Sequence, residues 1–188
     1  MKHLILTLCA AYFCCVLATG AIAQDKAGST APPTEQNIST EDAKITSKYD
    51  AAKNETTVEF GMLGLADTGK QRILLSVSAT YAGQKPKKQP EDIVFILSIA
   101  STQGYRYPDA MAMQITADGK KLPQVLMLNL DKRRLDEDYL ETIGTRMKYE
   151  IFKRLTQANT IELQLHDLTL QFDKTQIAKM RELEELLH

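Results

Sequence analysis

Residues 161–172 have the sequence IELQLHDLTLQF, and this stretch decides the fold class. Apolar and polar residues alternate on both sides of His166 and Asp167, as they do in strands that bury one face. If these two residues form a turn, the strands pair in a defined register. The pairs on the apolar side are then Leu165 with Leu168, Leu163 with Leu170, and Ile161 with Phe172. The stretch therefore predicts an antiparallel hairpin with one apolar face.

Helices are predicted on both sides of this hairpin. Asp173 and Gln176 have the spacing of a capping box, which marks the start of a helix. Apolar residues then recur at helical spacing, at Ile177, Met180, Leu183 and Leu187. We expect a terminal helix over 174–187 and a short helix over 148–158.

The chain upstream of these helices is predicted to form strands. The segments with strand patterns are 45–49, 56–65, 71–81, 93–101, 111–117, 122–130 and, less clearly, 139–147. Asp118-Gly119 is a hairpin turn signal, and Pro123 should weaken the strand that follows it. The nearly continuous apolar run in 93–101 indicates a central strand that is covered on both faces.

These elements predict a mainly β fold, an antiparallel β-sandwich or a partly closed barrel. The C-terminal helix is expected to cover an open edge or end. A parallel sheet is not expected, because its crossover connections need helices between the strands, and the gaps between 82 and 139 are too short for them. The domain organisation is a signal peptide (1–23), a flexible tether (24–43) and one β-rich domain (44–188).

The first 23 residues are typical of an export signal. A basic start precedes an apolar run over 4–17, and Ala21-Ile22-Ala23 is a signal-peptidase site. All three cysteines lie in this segment, so we expect a secreted or periplasmic mature protein without disulfides. Cleavage removes Lys2 but no acidic residue, so the net charge of −1 becomes −2. This charge does not favour nucleic acid binding, and no membrane span is expected after cleavage.

Two motifs are better explained by turns than by catalysis. Residues 64–71 (GLADTGKQ) resemble a phosphate-binding loop, but Gln71 replaces the required Ser or Thr and begins a strand pattern rather than a helix. His166 is the one mature histidine besides His188, and its place in a predicted turn accounts for it without a catalytic role. No metal and no cofactor are expected.

The carboxylates allow a second hypothesis. Asp131, Glu141 and the acidic run 136–138 form a local cluster that could bind calcium or supply an acid/base pair. Basic residues at 132–134 lie inside the cluster, which favours a solvated loop of mixed charge.

Two groups of residues are candidates for ligand binding. Tyr105, Arg106 and Tyr107 combine aromatic and cationic side chains in one loop, a mixture suited to sugar, peptide or protein surfaces. If 71–147 form an up-and-down meander, the lysines lie together at the end opposite these tyrosines and could bind an anionic envelope polymer. These lysines are Lys85, Lys87, Lys88, Lys120 and Lys121.

The C-terminal half resembles a family of secreted bacterial β-rich proteins. The resemblance covers about 93–188 and includes YEIF at 149–152, the strands of the hairpin and the last helix. Glycine often replaces His166 or Asp167 in that family, which fits a turn. The resemblance implies the fold and the compartment, and it implies no activity.

Two functions follow as expectations. The first is a non-enzymatic binding or structural domain of the periplasm or exterior, with an envelope polymer or another secreted protein as partner. The alternative is a carboxylate-dependent hydrolase of the cell envelope. The first predicts an aromatic or basic surface patch, and the second predicts two carboxyl groups that face each other in a pocket.

Overall fold

The computed structural model describes residues 43–188, which form ten strands and two helices. The strands are β1 (Ile45–Asp50), β2 (Glu55–Asp67), β3 (Gln71–Ala82), β4 (Asp92–Ser101), β5 (Ala110–Ala117), β6 (Lys120–Lys121), β7 (Val125–Leu135), β8 (Asp138–Lys148), β9 (Ile161–Leu165) and β10 (Leu168–Gln171). The helices are α1 (Tyr149–Gln157) and α2 (Lys174–Glu185).

All ten strands belong to one open antiparallel sheet. Its order is β1-β2-β3-β4-β8-β7-β5-β9-β10, with the short β6 paired to β5. The meander expected over 71–147 is therefore wrong beyond β4, because β4 pairs with β8 rather than with β5. The eight residues between β4 and β5, 102–109, carry the chain past the β7–β8 hairpin, which lies between the two strands.

The sheet curls so that distant strands approach each other. β10 contacts β2, although they hold the ninth and second places in the sheet order, and α2 packs against β2. The mainly β, antiparallel architecture expected from the sequence is confirmed, as one open sheet with a short helix before the last hairpin and a C-terminal helix. Two separate sheets, as in a sandwich, are not formed by residues 43–188.

The core lies on one face of the sheet, beneath the two helices. Alternate residues of β2, β3, β4, β5 and β8 are buried there, together with the inward side chains of α1 and α2. β4 has the predicted central place but is fully covered on one face only. Its outward residues Val94 and Ile96 are half-buried.

The predicted C-terminal hairpin is confirmed to the level of register. Leu165 pairs with Leu168 and Leu163 with Leu170, and the Phe172 amide donates to the Ile161 carbonyl. His166 has a φ of 53°, as expected for a turn residue. The terminal helix begins at the predicted capping box, in which the Gln176 amide donates to Asp173 and the Asp173 amide donates to the Gln176 side chain.

The segment expected to be a charged loop is instead a hairpin. β7 continues to Leu135, a two-residue turn follows, and β8 starts at Asp138. The interspersed acidic and basic residues of 131–138 suit a strand with exposed positions as well as a loop, which is why composition alone misassigned them. At the other end of β7, pairing with β5 starts at Val125, just after Pro123, as the proline predicted.

Residues 64–71 contain a turn between antiparallel strands, so the geometry of a phosphate-binding loop is absent from this segment. Gly69 has a φ of 72°, and its amide donates to Asp67.

The predicted signal peptide with its cysteines, and the tether apart from Ala43, lie outside the described residues. Ala43 is buried in the core. Within residues 43–188, neither helix has the length and apolar character needed to cross a membrane.

Candidate binding site

Glu141 is the one buried acidic residue of the described chain. Its position on β8 has the same parity as Ile143, so its side chain points to the core face near the end of the sheet. The carboxylate accepts hydrogen bonds from the amides of Arg106 (2.9 Å) and Tyr107 (3.1 Å) and from the Asn129 side chain (3.2 Å). These bonds satisfy a buried charge and fix the backbone of loop 102–109.

Loop 102–109 closes the end of the curled sheet. Gln71 at the start of β3 donates a 3.0 Å hydrogen bond to the Tyr107 hydroxyl. The Tyr107 ring also meets the His166 ring edge-to-face, with 6.5 Å between centroids. β3 and β9 lie five places apart in the sheet order, so the buried Tyr107 joins β3 to the turn that follows β9. Burial raises the pKa of the Tyr107 hydroxyl.

A second tie holds the loop to the β9–β10 turn. The Arg106 guanidinium forms an ion pair with Asp167, which also accepts a 3.2 Å hydrogen bond from the His166 ring. The hydrogen bond from His166, with that from Arg106, lowers the pKa of Asp167. The loop is thus anchored on both sides, by Glu141 and by Asp167.

Tyr105 is the aromatic residue that this anchored loop exposes. It is 45% exposed, and its ring meets Tyr139 edge-to-face at 5.1 Å. The Arg134 guanidinium lies 5.3 Å from the Tyr139 ring centroid, in a cation–π contact. We call Tyr105, Tyr139 and Arg134 the tyrosine–arginine surface. It offers an apolar ring face beside a cation, at the rim of the anchored loop.

The three residues of the predicted aromatic loop therefore have different positions. Tyr105 is exposed, Arg106 is held by Asp167, and Tyr107 is part of the core. Tyr139 and Arg134 were not predicted as site residues, and they become neighbours through cross-strand pairing in the β7–β8 hairpin. Glu141 was expected to lie among exposed acidic residues. It is two residues from Ile143, and alternate residues of a strand share a face, so the strand pattern could have marked Glu141 as inward-facing.

The candidate lysines lie at the opposite end of the sheet. Strand directions place Lys85, Lys87 and Lys88 at the same end as Lys120 and Lys121, and all five are exposed. β8 and β7 lie between the two groups, so three strand spacings, about 14 Å, separate β4 from β5. Lys87 and Lys88 also line an open groove of about 240 Å³, with Pro86, Gln89, Leu187 and His188.

The acidic cluster does not assemble as a metal site. Among residues 43–188, no three His, Cys, Asp or Glu side chains are placed to hold a metal ion. Asp131 pairs with Arg133, and the carboxylate of Glu141 is occupied by donors from the loop and Asn129. The turn residue Asp136 has a φ of 53°.

No protein-family model matches this chain, and no curated protein or solved structure matches it either.

Proposed function

We propose that the chain is a non-enzymatic binding domain that acts in the periplasm or outside the cell, and that the tyrosine–arginine surface is its binding site. The observation that carries this proposal is the anchoring of loop 102–109. A buried carboxylate fixes the loop backbone, while Tyr105 remains exposed beside Tyr139 and Arg134.

Such an arrangement suits a ligand with an apolar face and polar groups. Aromatic rings give large contact area for little conformational entropy, and an anchored loop reduces the cost of ordering on binding. The sequence pattern of 1–23 and the resemblance to secreted bacterial proteins support the extracytoplasmic compartment. We infer that the ligand is a polysaccharide of the cell envelope, because sugar rings present C–H faces to tyrosines and hydroxyl or carboxylate groups to arginine.

Co-sedimentation with purified peptidoglycan, together with affinity electrophoresis in polygalacturonate and in neutral dextran, tests this proposal. Tyr105→Ala and Arg134→Ala should each weaken binding about three- to tenfold, the loss expected for one aromatic or cation–π contact. Tyr49→Ala is the matched control, because Tyr49 is similarly exposed (38%) but lies on the edge strand β1. Binding that is equal in all four proteins, or absent from all three polymers, would contradict the proposal.

The same preparations address the hydrolase alternative. Glu141 is the buried acidic residue of the described chain, and its bonds to loop amides explain it as a structural group. We therefore expect no release of reducing ends or muropeptides by the wild-type protein. Release that Glu141→Gln abolishes in a protein that remains folded would favour the hydrolase.

A further inference from the structure

The outer face of the sheet, opposite the core, carries a continuous apolar patch at its centre. Cross-strand pairing joins Ile96 to Gly144, Gly144 to Leu128, and Leu128 to Ala110 across four neighbouring strands. We define the outer patch as the apolar residues on and beside this row: Val94, Ile96, Ala110, Ala112, Leu126, Leu128, Leu130 and Gly144.

Two leucines project from this patch into solvent. Leu126 is 60% exposed and Leu128 is 44% exposed, next to the small side chains of Ala112 and Ala110. A register shift in β7 between Asn129 and Asp131 adds Leu130 to the strand. The end of the Leu130 side chain lies over the bare backbone of Gly144 and so connects the leucines to Ile96. Contiguous exposed apolar surface of this kind marks an interaction site.

β4 indicates that this surface is normally covered. Its nearly unbroken apolar sequence is typical of a strand buried on both faces. In the single chain, its inward residues are fully buried, whereas Val94 and Ile96 on the outward side are half-buried. The segment 24–42 holds Ile38 as its one large aliphatic residue, which makes it a poor cover for the patch.

A cation and a carboxylate flank the outer patch on opposite sides along the strands. Arg146 lies two residues from Gly144 along β8, and among residues 43–188 no carboxylate lies within ion-pair distance of it. Thr142 lies two residues from Gly144 on the other side, and its cross-strand partner is Asp131, whose carboxylate is exposed and also lies 3.3 Å from the Arg133 guanidinium of the same chain. The cation and the carboxylate thus stand about 7 Å from the centre of the row, in opposite directions along the strands.

We propose that two copies of the chain pack through their outer patches, with the strand directions of one copy inverted relative to the other. A two-fold axis along the Ile96–Gly144–Leu128 row places Arg146 of each copy beside Thr142 and Asp131 of the second copy. The projecting leucines of both copies are then removed from water. Two curled sheets that stack on their outer faces form a two-layer interface with an apolar centre and charged pairs at its rim.

Sedimentation equilibrium of the purified exported protein tests this dimer. The wild type should be dimeric at about 50 µM, and Leu128→Glu should raise the dissociation constant at least tenfold. Leu186→Glu is the matched control, because Leu186 is 49% exposed at the end of α2, away from the outer patch. It should leave the dimer unchanged, and circular dichroism should show that each variant is folded.

Charge-reversal variants at the rim distinguish this dimer from binding to another partner. Unlike Leu128→Glu, they do not place a new charge inside the apolar patch. Arg146→Asp and Asp131→Lys should each weaken association, since each places like charges at the interface, and the double variant should restore it. A wild type that is monomeric at 50 µM, or a double variant weaker than both single variants, would overturn the proposal. A monomer that binds phosphatidylglycerol vesicles through Leu126 and Leu128 would also overturn the proposal, and it would identify the outer patch as a membrane-binding surface.

Discussion

At the scale of single residues, the organisation of the site depends on Glu141. Its carboxylate replaces water with two loop amides and one side-chain amide, which offsets the cost of burying the charge. The sequence could not show the bonds to the loop, because Glu141 is separated from Arg106 and Tyr107 by 35 and 34 residues of chain. The face of the sheet on which Glu141 lies was predictable from the alternation of residues along β8. Its partners in the loop were not predictable, because they depend on the path of residues 102–109.

His166 and Phe172 give a contrasting pair of residue-scale predictions. Phe172→Ala should lower the free energy of unfolding by about 3–5 kcal/mol, because a side chain that is 8% exposed leaves a cavity in the core. His166→Asn should change it by less than about 1 kcal/mol, because asparagine tolerates the φ of 53°. Urea denaturation of both variants is the measurement. A harmless Phe172→Ala would make the hairpin peripheral, and a folded His166→Asn protein without function would restore a catalytic role for His166.

At the scale of elements, local patterns predicted most of the structure. The β9–β10 register, the capping box of α2, the Asp118-Gly119 turn and the strands β2 to β5 follow from alternation and turn chemistry within a few residues. The β7–β8 hairpin was hidden because its charged residues resemble a loop in composition. What no local pattern contained was the contact between α2 and β2, which depends on the curl of the whole sheet.

Gln176 makes that contact and carries the element-scale prediction. Its side-chain nitrogen donates a 2.6 Å hydrogen bond to the Gly64 carbonyl, while its side-chain oxygen accepts from Asp173. Gln176→Ala should destabilise the protein by about 2–3 kcal/mol, because it removes the side-chain acceptor of the Asp173 amide and leaves the buried Gly64 carbonyl without this donor. Gln176→Glu keeps the acceptor for Asp173 but not the donor.

The two Gln176 variants therefore separate capping from docking. Thermal melts should show that Gln176→Glu is also destabilised, since a carboxylate cannot donate to the Gly64 carbonyl. Gln171→Ala, at an exposed site on β10, is the control and should melt within about 2 °C of the wild type. If Gln176→Glu is as stable as the wild type, the bond to β2 contributes little and α2 is held by its apolar face alone.

At the scale of the whole molecule, the strand order determines which side chains meet. Insertion of β7–β8 between β4 and β5 brings Tyr139 and Arg134 to the loop with Tyr105, and it separates the two lysine groups. Sequence alternation predicts strands and their direction but not which strand lies beside which, because pairing over long stretches of chain depends on the complete core. The end at which each candidate residue lies was therefore predictable, and its neighbours were not.

Hydrogen–deuterium exchange of the purified protein with and without soluble peptidoglycan fragments tests the central claim, the binding role of the tyrosine–arginine surface, most directly. We expect slower exchange on binding to be confined to 102–109 and to the β7–β8 turn, where the tyrosine–arginine surface lies, with little change at 84–89 and 118–121. Protection centred on those two lysine segments, with none at 102–109, would contradict it.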